Sequence, residues 1–234
     1  MIISHRGRKT GEKENSLSSF EKAIELGAEG IECDARLLPD GEVIISHDKI
    51  YKFDDQDLSL DQLFLYIENL PAVRLPGGQG KTGRKVPFFI EVKSSSPILI
   101  EKIIKKIEKE NLWELVYIIG FSVFIKTALK FQEKYPKLRI LQFVNIPLYS
   151  FVKPPKKSYG VFLGCIDSWR GSQFLFQKLI SQKRLRKLVK LYQNNGFKVM
   201  AGVINNEKGL KYFKNSGITD IVTDEIKLAL KVFS

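Results

Sequence analysis

Residues 88–121 read FFIEVKSSSPILIEKIIKKIEKENLWELVYIIGF, and the pattern in this stretch decides the fold. Two short apolar runs, Phe88–Lys93 and Val116–Phe121, have the Val, Ile and Phe content of buried strands. Between them, Pro97 opens a helix whose isoleucines recur three and four residues apart and so share one face. A strand, a helix and a second strand in this order predict a parallel sheet whose helices pack on the outside.

The same alternation of apolar runs and amphipathic helical patterns continues along the whole chain. The predicted strands are Ile2–His5, Gly30–Leu37, Val43–His47, Phe88–Lys93, Val116–Phe121, Arg139–Val144, Tyr159–Ile166, Lys198–Ile204 and Asp220–Thr223. No segment interrupts the rhythm as an interdomain linker would, which favours one α/β domain over residues 1–234. Alternation by itself is compatible with both a closed barrel and an open sheet.

Nine predicted strands are one more than an eight-stranded barrel needs, and a hairpin accounts for the excess. The Asp40-Gly41 pair is typical of a two-residue hairpin turn, so the next strand is predicted to return antiparallel to Gly30–Leu37. With these two residues as the loop, Asp34 would face His47 across the hairpin. Eight strands remain once this returning arm is left out of the barrel.

The amino-acid composition is that of an ordinary globular domain. The chain has 234 residues, 44% of them hydrophobic and 27% charged, which is ample for one substantial core. Cys33 and Cys165 are the two cysteines and lie far apart, so neither a disulfide framework nor a zinc site is expected. No apolar run reaches the roughly 20 residues that span a bilayer, and the strand Ile2–His5 begins without a leader. A cytoplasmic protein without stable membrane insertion is the expectation, and the oligomeric state stays open.

Charge favours anionic partners, because 38 Lys and Arg outnumber 26 Asp and Glu and give a formal net charge of +12. Most lysines fit solvated helix faces. Basic clusters such as Lys183–Lys187 lack the interleaved aromatic residues of a nucleic-acid surface, so no nucleic-acid partner is expected. Gly77–Thr82 resembles a phosphate-binding P-loop, but position 75 is Leu75 instead of glycine and no strand precedes it.

Glu32 and Asp34 are the first candidates for chemistry. They alternate with Cys33 on one predicted strand, so both carboxylates project from the same face. Two acids on a buried strand are costly unless a cation or hydrogen-bond donors compensate them. Oxygen ligands of this kind suit Mg²⁺ or Ca²⁺. An exposed pair on an edge strand is the alternative.

Four further residues sit at strand ends and complete the candidate set. Glu91 and Lys93 share one face of an apolar strand, where Glu91 would add a third carboxylate and Lys93 would offset the charge of a phosphate. A purely structural ion pair is the alternative for these two. His5 and His47, the only histidines, each end a predicted strand, which is where α/β barrels build their active sites. Imidazoles titrate near neutrality and suit acid–base catalysis.

A longer series of motifs occurs in order along the chain. It comprises His5-Arg6-Gly7, Glu14-Asn15-Ser16, Phe20, Ala23, Gly27-Ala28, Ile31-Glu32-Cys33-Asp34, Asp40-Gly41, His47-Asp48, Ile90-Glu91-Val92-Lys93 and Ile221-Val222-Thr223-Asp224. The series resembles the glycerophosphodiester phosphodiesterase family, most strongly from Ile2 to Lys93. This resemblance implies a TIM-type (β/α)8 barrel and the metal-dependent hydrolysis of small glycerophosphodiesters to glycerol 3-phosphate and an alcohol, a reaction of lipid and glycerol metabolism.

The resemblance also implies a role for each site residue. By this likeness, His5 and His47 are the acid–base catalysts, and Glu32, Asp34 and Glu91 bind a Mg²⁺ or Ca²⁺ ion. Arg6 and Lys93 contact the phosphate of the substrate. Glu14 and Asn15 form the polar, substrate-binding motif beside the site. Which histidine is the acid, and whether water or a neighbouring glycerol hydroxyl attacks phosphorus, stays open.

Two departures from the family pattern concern the substrate. The Lys49–Asp57 connection is short where family members carry an insertion, and this reduced insertion predicts a more open site that the basic Pro71–Pro87 loop would cover. The Val199–Asn205 segment lacks the Trp common at the matching strand. A lysophospholipase D-like activity on lipid substrates is therefore an alternative. A catalytically silent, phosphate-binding barrel is a weaker one, because the histidines and carboxylates are all present.

Overall fold

The computed structural model describes residues 1–54, 56–73, 83, 85–144, 158–164 and 171–234. Its strands are β1 (Ile2–His5), β2 (Gly30–Leu37), β3 (Val43–Ile45), β4 (Leu58–Ser59), β5 (Phe88–Val92), β6 (Val116–Phe121), β7 (Arg139–Val144), β8 (Gly160–Gly164), β9 (Lys198–Gly202) and β10 (Asp220–Thr223). Its helices are α1 (Leu17–Glu25), α2 (Leu60–Asn69), α3 (Pro97–Lys109), α4 (Ser122–Phe131), α5 (Ser172–Leu179), α6 (Gln182–Asn194), α7 (Glu207–Lys214) and α8 (Ile226–Phe233).

Eight of these strands form a closed parallel barrel. Their order around it is β1, β10, β9, β8, β7, β6, β5 and β2, and β1 pairs with β2 to close the ring. The predicted TIM-type barrel is thereby confirmed, and the open sheet is excluded. Closure of the ring leaves no exposed edge among the barrel strands.

Two layers of apolar side chains stabilise the barrel. Inward-facing residues fill its interior: Ile3, Phe89, Tyr117, Ile119, Leu141, Phe162, Met200 and Val222. Outward-facing residues such as Ile90 and Val92 pack instead against the surrounding helices, with Ile100 and Ile103 of α3 fully buried on the facing side. The period of two along each strand separates these layers, so polar residues can face inward only at the strand ends.

The hairpin after β2 exists, but its predicted register is wrong by one residue. β3 runs antiparallel to β2, and Leu38 N donates to Glu42 O at 2.8 Å, so residues 39–41 form a three-residue loop. Gly41 closes it at φ +91°, the left-handed conformation that such loops use at their third position. As a result Ser46, not His47, lies opposite Asp34, and Ser46 N donates to Asp34 O at 2.9 Å.

Other local differences follow from short-range pairing. Leu58–Ser59 forms the short strand β4 against β3, and α2 begins at the next residue behind the Ser59 cap. Helix α5 was not predicted from the sequence. Most of the Pro71–Pro87 loop, Cys165 and the Gly77–Thr82 stretch lie outside the described residues, so the predicted lid stays a prediction. Among the helices described, none has the length and apolarity needed to cross a membrane.

Candidate active site

The candidate carboxylates and His5 meet at the barrel mouth on three neighbouring strands, β1, β2 and β5. His5 of β1 is in register with Glu32 of β2, and Asp34 of β2 is in register with Glu91 of β5. All four side chains face the barrel mouth, and Glu32, Asp34 and Glu91 are only 3%, 0% and 6% exposed. The alternative of exposed acids on an edge strand is therefore wrong.

These three acids form a cluster with the chemistry of a cation site. One oxygen from each of Glu32, Asp34 and Glu91 lies within 4.8 Å of the others. Both oxygens of Glu32 are buried without a hydrogen-bond partner. Burial, reinforced by Asp34 and then Glu91, raises the pKa of Glu32 well above its usual range. A carboxylate left unpaired in this way has a large free-energy cost, which a bound divalent cation would remove. The residues therefore fit a metal ion.

Lys93 partly neutralises the same cluster. Its Nζ lies 2.8 Å from Asp34 Oδ1 and 2.6 Å from Glu91 Oε1. Burial acts to lower the pKa of Lys93, but these two carboxylates together raise it above its usual value. The pKa of Glu91 is nevertheless raised, chiefly by burial.

Arg6 and Asn15 hold Asp34 from the opposite side. Arg6 Nε lies 2.8 Å from Asp34 Oδ2, and Asn15 Nδ2 donates to the same oxygen at 3.0 Å. Burial acts to raise the pKa of Asp34, but the charges of Lys93 and Arg6 and the hydrogen bonds hold it below its usual range. Asn15 also accepts from Asp34 N at 3.2 Å through Oδ1, so its amide orients this acid from both ends.

The His5-Arg6-Gly7 turn needs an unusual backbone. Arg6 and Gly7 have φ of +57° and +68°, and Arg6 N donates to Glu32 O at 2.9 Å. A Cβ on Gly7 would lie 2.3 Å from Ser19 Oγ, so only glycine lets the turn pack on α1. Glu14 lies at the more open side of this turn, with its carboxylate 3.2 Å from Arg8 Nε.

His5 is oriented by Asp224, a residue of the last sequence motif to which no role was assigned. Its Nδ1 lies 2.8 Å from Asp224 Oδ1, and its Nε2 is 3.9 Å from Glu32 Oε2. Asn205 Nδ2 donates to Asp224 Oδ2 at 2.6 Å. Burial acts to raise the pKa of Asp224, but His5, Arg8 and Asn205 together hold it below its usual range. An acid directly after the last strand of a barrel is the signal that could have revealed it.

His47 lies in a different environment from His5. Its side chain is 38% exposed, and its Nδ1 lies 3.0 Å from Asp48 Oδ1. Arg36 fixes the backbone here, since its Nε and Nη2 donate to His47 O at 2.9 and 2.6 Å. The structure thus places one histidine buried beside the acidic cluster and the other at the open rim.

The fold and this cluster define a TIM-barrel protein with three buried, neighbouring carboxylates at the barrel mouth. The model of the glycerophosphoryl diester phosphodiesterase family matches residues 5–93, a range that holds every predicted site residue. Over these residues the chain is similar to this family.

Two relatives and two solved structures illustrate the likeness. A glycerophosphodiester phosphodiesterase of Caldanaerobacter subterraneus is 23% identical over 96% of this chain and 94% of its own. The lysophospholipase D GDPD1 of Mus musculus is 26% identical over 95% and 82%. A putative glycerophosphodiester phosphodiesterase of Galdieria sulphuraria has a TM-score of 0.73 at 18% identity, covering 99% of this chain and 96% of its own. An Oleispira antarctica phosphodiesterase in complex with the product sn-glycerol-3-phosphate has a TM-score of 0.67 at 17% identity, with the same coverage.

Proposed function

We propose that this protein hydrolyses glycerophosphodiesters to glycerol 3-phosphate and an alcohol, using a divalent cation bound by Glu32, Asp34 and Glu91. The observation that carries the proposal is the buried carboxylate of Glu32, which has no hydrogen-bond partner beside two further acids. A divalent cation supplies Lewis-acid polarisation of phosphoryl oxygens when it is bound in such a site.

Charge balance supports an anionic substrate. As ligands of a cation all three carboxylates would be ionised, and with the two cations Arg6 and Lys93 they would leave one net negative charge in the buried cluster. A divalent cation reverses this sign, and the single negative charge of a phosphodiester then neutralises the site. Arg6 and Lys93 would contact the phosphate oxygens and stabilise the charge that builds up on them in the transition state.

The two histidines have environments suited to different proton transfers. Asp224 accepts the Nδ1 proton of His5, which leaves Nε2 facing the cluster as a proton acceptor. For attack by water, His5 would therefore remove one water proton as the water oxygen bonds to phosphorus. His47 is exposed at the open side of the barrel mouth. It would donate a proton to the oxygen of the leaving alcohol as the bond between that oxygen and phosphorus breaks.

Release of glycerol 3-phosphate from a panel of glycerophosphodiesters tests this function, with Mg²⁺, Ca²⁺ or EDTA present. Turnover is expected with a metal, and EDTA is expected to abolish it. Glu32→Gln should lose activity, whereas Glu101→Gln, an exposed surface change of the same type, should retain it. Full activity of Glu32→Gln or full activity in EDTA would refute the metal assignment. If no substrate releases glycerol 3-phosphate, the alternative of a catalytically silent, phosphate-binding barrel would be favoured.

Lysophospholipids are a second candidate substrate class. The likeness to the mouse lysophospholipase D extends over nearly the whole chain. The short connection after His47 also leaves that histidine exposed, so a long substrate can extend from the site. Release of acylated glycerol 3-phosphate from lysophospholipid micelles would distinguish lysophospholipids from simple glycerophosphodiesters as substrates.

A further inference from the structure

Exposed apolar side chains concentrate at one end of the barrel. Within the described part of the chain, nine large hydrophobic side chains are exposed, and five of them lie in a loop or first helical turn that follows a strand. We call these five the apolar rim: Tyr51, Ile98, Val123, Phe174 and Leu175. Single exposed apolar residues are ordinary, but a group on one face indicates a binding surface.

The topology places the first three on the same end as the acidic cluster. Ile98 and Val123 lie in the first turns of α3 and α4, directly after the carboxyl ends of β5 and β6. Tyr51 lies in the loop after β3, which Lys13 ties to the active-site end through contacts with Gln56 and Asp57. These side chains are 54%, 63% and 69% exposed, respectively.

Helix α5 brings the other two to the same end. Its Gln173 exchanges two side-chain hydrogen bonds with Asn206, at 3.2 and 2.8 Å. Asn206 follows Asn205, which binds the Asp224 that orients His5. Phe174 and Leu175 next to Gln173 are 70% and 38% exposed. The apolar rim therefore lies on the segments that follow β3, β5, β6 and β8.

Cations accompany the aromatic residues of the rim. Lys49 Nζ lies 5.2 Å from the Tyr51 ring centroid, and Lys178 Nζ lies 5.7 Å from the Phe174 ring centroid. Apolar and aromatic side chains beside lysines are typical of surfaces that rest in the headgroup region of a membrane. The net charge of +12 adds long-range attraction to an anionic surface and repulsion between two copies of the chain.

We propose that the apolar rim docks on an anionic phospholipid surface and presents the barrel mouth to phosphodiesters held there. The rim side chains would insert among the headgroups, while Lys49 and Lys178 stay at the level of the lipid phosphates. This inference rests on the proposed function for its substrate, but the docking itself depends on the rim alone.

Vesicle sedimentation tests the docking surface. The probe is a vesicle of equal parts phosphatidylglycerol and phosphatidylcholine, and the variant combines Ile98→Ser, Val123→Ser and Phe174→Ser. Leu65→Ser is the matched control, because Leu65 is 61% exposed on α2 away from the mouth. The triple variant is expected to bind vesicles at least about tenfold more weakly, since affinity follows the inserted apolar area. The control should bind like the unmodified protein.

The same variants separate docking from catalysis. Hydrolysis of a water-soluble glycerophosphodiester should be unchanged in the triple variant, whose altered side chains lie outside the acidic cluster. Absence of vesicle binding by the unmodified protein, or equal loss in Leu65→Ser, would overturn the inference. Sedimentation velocity without lipid tests whether the protein self-associates. If it does, and if the triple variant abolishes the self-association, the apolar rim would be an interface with a second copy of the chain, and the inference would be overturned. Vesicle binding without hydrolysis of any substrate would refute the proposed function and support the docking surface.

Discussion

Replacing Asp224 by asparagine should impair His5 through its tautomer. Asn205 Oδ1 accepts from Asp224 N at 2.8 Å and from Thr223 Oγ1 at 3.1 Å, which fixes Asn205 Nδ2 as the atom that faces the side chain at position 224. In Asp224→Asn the new amide must keep its oxygen toward Asn205 and turn its NH2 toward His5 Nδ1. That nitrogen then has to accept, so the ring proton moves to Nε2 and the base is lost.

The size of the effect follows from the geometry. The hydrogen bond between His5 and Asp224 is 2.8 Å long and buried, and general acid–base catalysis contributes about 10²–10⁴ to a rate. We expect kcat for glycerol 3-phosphate release to fall by about that factor, with KM changed by less than about threefold, since no substrate contact is removed. The loss should persist across the pH profile, because the tautomer and not the charge of a free group is altered.

Steady-state kinetics on a soluble substrate, with saturating Mg²⁺, measures this prediction. Asp220→Asn is the matched control, because Asp220 begins the same strand at the opposite end of the barrel and pairs with Lys198. Its kcat should stay within about twofold of the unmodified protein. A kcat of Asp224→Asn within about threefold of normal would refute the orienting role.

Three further predictions concern the cluster and the turn beside it. Glu32→Gln should weaken Mg²⁺ binding at least about hundredfold in calorimetry and yet leave the metal-free protein as stable as before, since the Glu32 oxygens accept no hydrogen bond that the change would remove; a lower melting temperature would contradict this. Because burial raises the pKa of Glu32, a bound ion must displace its proton, so Mg²⁺ affinity should rise with pH by up to about tenfold per pH unit; a flat titration would exclude Glu32 as a ligand. Gly7→Ala should destabilise the fold by about 2 kcal/mol or more in thermal melts, because the new Cβ would clash with Ser19. Gly41→Ala is the control, because Gly41 also has a positive φ but has open space around it, and it should destabilise the fold by about 1 kcal/mol. Equal losses of stability in the two variants would contradict the steric explanation.

The hairpin shows where prediction from local sequence ends. Asp40-Gly41 correctly indicated a reversal, but the loop has three residues because Leu38 pairs with Glu42 and Gly41 adopts a positive φ. Two-residue and three-residue loops share the same turn residues, and packing of the strand faces decides between them. The predicted position of His47 opposite Asp34 was therefore wrong. His47 lies at the open side of the barrel mouth instead.

Sequence by itself determined the order of the barrel strands and placed Glu32 and Asp34 on one strand face, because the period of two residues along a strand is a local property of the backbone. It also predicted eight barrel strands, since the hairpin explained the ninth. Closure of the ring was decided only by the tertiary structure. That closure brings Asp224, directly after the last strand, to His5 of the first strand across 219 positions, a pairing that no local pattern encodes. The unequal burial of the two histidines and the apolar rim arise in the same way, because exposure depends on which neighbours the fold supplies.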